Sequence, residues 1–73
     1  MNRVEAISYL NECYKDLAEA VCHEQALVID SYIRGFSKAS VMFNAINEDE
    51  FSEIEKGLNY MPPVKPKFLD QPE

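Results

Sequence analysis

Between Val4 and Met61 the chain repeats apolar residues at spacings of three and four, and at Pro62-Pro63 the pattern stops. Such spacing gathers side chains on one face of an α-helix and does not fit the strict alternation of a strand. The paired prolines remove backbone donors and push the residue before them out of the helical region. The fold class expected is therefore all-α: a small helical hairpin or three-helix bundle over residues 1–61, then an extended, proline-containing C-terminal tail over 62–73.

Where each helix begins is written locally. Asn2 followed by Glu5 reads as an N-cap with its capping-box partner. Val4, Ile7, Leu10, Tyr14, Leu17, Ala18 and Val21 then form an apolar stripe, with Glu5, Ser8, Glu12, Lys15, Asp16 and Glu19 on the other side. Cys22-His23-Glu24-Gln25 interrupts that stripe without Gly or Pro, so the chain either turns there or continues as one long helix. Asn47-Glu48-Asp49-Glu50 repeats the capping signal, with acids in the first turn where the helix dipole favours them. Phe51, Ile54, Leu58 and Met61 follow, which predicts a short helix from about 48 to 60.

The middle helix carries two apolar stripes. Ile29, Ile33, Phe36, Ser40 and Phe43 make one, and Val28, Tyr32, Ala39, Met42 and Ile46 lie beside it. A face this wide exceeds what one antiparallel neighbour covers. It predicts burial on two sides, hence a homodimer with Ile29, Ile33, Phe36 and Phe43 in its interface. Gly35 inside the pattern costs about 1 kcal/mol relative to Ala. Two readings accommodate it: a break at 35–37 with Ser37 capping a restart, or close approach of another helix.

A chain of 73 residues hides only about 60% of the surface its unfolded form exposes. Small scaffolds usually add disulfides, a metal or a partner subunit. Cys13 and Cys22 stand nine positions apart, about 13 Å along a continuous helix and on roughly opposite faces, too far to bridge. With no signal-peptide pattern and no disulfide framework, reduced thiols in the cytoplasm are the expectation, and both cysteines read as small, moderately buried apolar residues. Adjacent Cys22 and His23 diverge by about 100° on a helix, so they form neither a zinc site nor a nucleophile–base pair. No metal, cofactor or catalytic residue is expected, which leaves association as the route to a sufficient core.

Seven basic residues against thirteen acidic ones give a net charge of −6. That charge repels nucleic acid and anionic lipid at long range. The most apolar window, Ala26 to Ile46, contains Asp30, Arg34 and Lys38 and is not expected to span a membrane. The stretch DLAEAVCHEQALVIDSYIRG, residues 16–35, nevertheless resembles the helix-turn-helix of small phage-type repressors. Leu17-Ala18 stands where that motif opens its first helix, Val28 at the buried position of the second, and Gly35 after it. The resemblance implies a DNA-binding regulator. Cys22 replaces the turn glycine, His23 the small apolar residue after it, and the segment to Gly35 is one residue longer than the motif. A reading helix there would present Glu24, Gln25, Asp30 and Ser31, with Arg34 its single cation. Phosphate neutralisation needs Lys and Arg, so nucleic-acid binding is not expected.

Two features exceed what folding requires. Glu48, Asp49, Glu50, Glu53 and Glu55 concentrate acids around one helix start, without the oxygen spacing or turn glycine of a calcium loop. Val64, Phe68 and Leu69 sit on a tail with no regular structure of its own, so they either fold back over the bundle or are offered to another protein. Lys65 and Lys67 oppose the charge of the third helix and favour folding back across it. The function expected is non-enzymatic: a small acidic adaptor or regulator, including an inhibitor of a basic-surfaced protein, that acts as a homodimer. Its contact surface is expected to comprise Glu48, Asp49, Glu50, Glu53, Val64, Phe68 and Leu69. A helix-turn-helix regulator is the alternative.

Overall fold

A computed structural model describes residues 1–70. Three helices and a final 3-10 turn follow one another: α1 Arg3–Ala18, α2 His23–Met42, α3 Glu48–Leu58, and η1 Lys67–Asp70. No strand occurs among the described residues. The fold is the all-α three-helix bundle expected, with α2 packed against both α1 and α3.

Both capping boxes form. Asn2 Oδ1 accepts from the Glu5 amide at 2.8 Å and Glu5 accepts from the Asn2 amide at 3.1 Å. Asn47 and Glu50 repeat the exchange at 2.8 and 3.0 Å. Each satisfies two backbone donors that a helix start otherwise leaves open. Helix α1 ends at Ala18, so the chain turns through residues 19–22 instead of continuing, and Val21 projects into solvent. Only Ile7, Leu10 and Tyr14 of the expected first stripe are buried, joined by Ala6 and Cys13, while Val4 is exposed. Met61 likewise lies outside α3 and in solvent.

Helix α2 runs unbroken through Gly35 to Met42. Ser37 is not a restart cap: it is fully buried, and its hydroxyl donates to the Ile33 carbonyl at 2.6 Å. Ser40 is equally buried and donates to the Phe36 carbonyl at 2.8 Å. Satisfied within their own helix, these small side chains sit at the packed side of α2 with no orphaned hydrogen-bonding group. The helix stops at Asn44, whose φ of 60° is the left-handed conformation that asparagine tolerates. Gly35 faces solvent, where an added Cβ would meet no atom within 4 Å among the described residues, so neither α1 nor α3 approaches it.

One cluster joins Ile7, Leu10, Cys13 and Tyr14 of α1, Ile33 of α2, Ile46 of the following loop, Ile54 and Leu58 of α3, and Leu69 of η1. The last of these is the largest departure from an extended tail. After a cis Met61-Pro62 peptide the chain crosses the end of α3, where the Val64 amide donates to the Gly57 carbonyl at 2.9 Å. Pro66 is buried, and η1 then packs on α1, with Asn11 Nδ2 donating to the Leu69 carbonyl at 2.9 Å. Residues 62–70 are therefore a strap that closes the core, and it reaches past α3 to α1.

Candidate functional site

The acidic start of α3 divides into two kinds of carboxylate. Glu50 closes the capping box and also accepts both terminal nitrogens of Arg3, at 2.8 and 2.6 Å. The Arg3 hydrogen bonds, the largest influence on it, hold the Glu50 carboxyl below its ordinary value against the opposing effect of burial. Arg3 also lies over the Phe68 ring, 5.9 Å from its centroid. One guanidinium thus ties together the first turns of α1 and α3 and the strap. Glu50 and Phe68, both read from sequence as partner contacts, are engaged inside the chain. So is Leu69, which is 1% exposed and cannot touch a partner while the strap is in place.

A pH dependence follows from the Arg3–Glu50 pair. Its folded-state carboxyl titrates lower than the unfolded one, so the stability it supplies is fully present above the ordinary glutamate range and is lost as pH falls through the depressed folded value. Urea midpoints measured downward from pH 6 should decline over that acidic window, and the decline should be shallower in Glu50→Gln. Identical pH profiles in the two proteins would show that the pair contributes nothing.

Glu48, Asp49 and Glu53 remain at the surface, and no ion pair involves them among the described residues. Glu48 lines a groove of about 400 Å³ between the end of α2 and the start of α3, together with Lys38, Val41, Met42 and Phe51, while Asp49 and Glu53 do not line it. Its floor is apolar and its α3 rim is acidic. Val64 of the strap is half exposed, but it lies at the other end of α3, beside Gly57. The structure thus does not join the strap residues and the acidic cluster into a single surface.

The four residues expected at a dimer interface are split in the same way. Ile33 is fully buried within the chain, Ile29 and Phe36 pack against its core, and the Phe36 ring lies 4.4 Å from that of Tyr9 between centroids. Only Phe43, 67% exposed, is free to meet another molecule. The inner stripe as far as Ser40 is covered by α1 and α3, and of the neighbouring stripe Val28, Tyr32 and Met42 are left in water while Ile46 joins the core. The helix-turn-helix spacing fails at the same positions: Val28 is exposed where the motif buries it, and Gly35 lies inside α2 instead of after it.

Reactive side chains do not converge. Cys13 is buried, and burial pushes its thiol up, which keeps it a small apolar residue. Cys22 is exposed at the start of α2, a correction to its reading as partly buried. Burial pushes the Tyr14 phenol up to about 12, away from any role as a base near neutrality. Among the described residues no three His, Cys, Asp or Glu side chains cluster to hold a metal ion. No described helix is long and apolar enough to cross a membrane. Neither a protein-family model, nor a curated protein, nor a solved structure matches the chain.

Proposed function

We propose that this protein is a non-enzymatic adaptor or regulator that binds a basic-rimmed apolar segment of another protein in the groove between α2 and α3. One observation carries the reading: Glu48 stands exposed on the rim of a groove floored by Val41, Met42 and Phe51, and Glu48, Asp49 and Glu53 make no ion pair among the described residues, whereas Glu50 is used up in holding the fold. Capping α3 takes Asn47 and Glu50 alone. The other acids therefore contribute an electrostatic surface, which steers partners of opposite charge and selects against acidic ones. A net charge of −6 extends that preference over the whole molecule.

Affinity capture from the native host, followed by mass spectrometry, tests this with the double variant Glu48→Lys/Glu53→Lys beside the native chain. Exposed substitutions of this kind change stability by less than about 0.5 kcal/mol, so helicity and melting temperature should hold. A partner enriched by the native protein at low salt should be lost in the variant and weakened as salt rises. Equal capture by both proteins would place the contact elsewhere.

A further inference from the structure

We infer that the solvent face of α2 is the interface of a symmetric, antiparallel dimer of this chain. At 100° per residue, Val28, Tyr32, Gly35, Ala39 and Phe43 fall within about 80° of arc, directed away from Ile33, Ser37 and Ser40. No charged residue stands in that arc: Asp30 and Arg34 pair with each other at 2.5 Å on another side, Glu24 lies at its margin one turn before Val28, and Lys38 lies farther out on that side. In a chain of net charge −6, this neutral strip is where a second copy can approach without setting like charges against each other.

The strip is also complementary to itself. An antiparallel pairing centred between Gly35 and Phe36 sets Val28 of one copy against Phe43 of the other, and Tyr32 over Ala39 of the other, since both pairs have the same midpoint. Large side chains then meet small ones or fill the ends, twice, as a two-fold axis requires. Gly35, whose Cβ would meet nothing inside the chain, falls next to that axis, where its missing side chain lets two helix backbones draw close. The helix-propensity cost of about 1 kcal/mol thereby acquires a reason that no contact within the monomer supplies.

Area and charge fix the arrangement further. Val28, Tyr32, Met42, Phe43 and the rim residue Tyr9 are each between 43% and 75% exposed, leaving a patch on the order of 500 Å², the size at which exposed apolar surface marks a contact site. Two copies together hide about 1,000 Å², the lower bound for a specific interface. The dimer is accordingly of moderate affinity. A parallel pairing would bring the two Glu48-Asp49 clusters side by side, because both follow the C-terminal end of α2. The antiparallel one, centred between Gly35 and Phe36, sets the two C-terminal ends of α2 about 20 Å apart along the axis, more than two Debye lengths at physiological salt. Met42 is the corner this face shares with the acidic groove, but Glu48 and Glu53 lie outside it.

Sedimentation equilibrium over roughly 5–500 μM, a span that brackets micromolar association, provides the test. The native chain should fit a monomer–dimer equilibrium. Ala39→Glu should raise its dissociation constant at least ten-fold, and so should Gly35→Leu, whose monomer should melt no lower than native because leucine is the better helix former. Adding Tyr32→Lys to Ala39→Glu should restore association, since each new lysine then faces a new glutamate across the axis. A native chain that stays monomeric throughout, or dimers unaffected by Ala39→Glu and Gly35→Leu, would overturn the interface. Failure of the double variant to recover would overturn the antiparallel register. Partner capture through Glu48 and Glu53 is read separately, so either face can fail without the other.

Discussion

Gly57→Ala is expected to destabilise this protein by about 2 kcal/mol, although the same exchange in an exposed helix stabilises by about 1. Gly57 is buried near the end of α3, and the strap crosses directly over it. A Cβ built there would lie 2.1 Å from the Val64 carbonyl oxygen and 3.2 Å from its carbon. Both atoms are backbone, so no rotamer change relieves the overlap, and the strap has to lift. Lifting it stretches the 2.9 Å hydrogen bond from the Val64 amide to the Gly57 carbonyl, a contact worth about 1 kcal/mol. In a domain of this size the net loss lowers the melting temperature by on the order of 10 °C, which thermal denaturation followed by circular dichroism will read. A variant that melts higher than the native chain would show that the strap does not press on α3.

Leu69→Ala should cost more, about 2–5 kcal/mol, the range for truncating a fully buried leucine. Leu69 is 1% exposed, belongs to the same cluster as Ile7, Leu10, Ile33 and Ile54, and anchors the strap through its carbonyl to Asn11. For a chain this short, whose total stability is on the order of 5–10 kcal/mol, that is a large share of what holds it folded. Chemical denaturation of the variant should show a much lower midpoint. An unchanged midpoint would mean that the tail is not part of the core and is free for other contacts. The two substitutions act at opposite ends of the strap, so together they separate its seating on α3 from its insertion beside α1.

What was legible in the sequence was whatever is decided within one or two turns of chain. Asn2 with Glu5, and Asn47 with Glu50, fix two helix starts because cap and partner lie three residues apart and satisfy each other's backbone. The spacing of Ile7, Leu10 and Tyr14, and of Ile54 and Leu58, specifies a buried helix face for the same local reason, and the acids of α3 announce themselves as a cluster. Tertiary structure alone decided which side of α2 turns inward, because its two apolar stripes are nearly equal and the choice depends on what α1 and α3 bring against them. It put Ser37 and Ser40 in the interior, since their hydroxyls bond to their own helix, something composition does not display. It also decided between the two readings of Phe68 and Leu69, making them parts of the fold. The tail from Pro62 has no periodicity to read, and the place of residues 62–70 is set by a long-range fit: a glycine that leaves room on α3, and a gap above α1 that Leu69 fills.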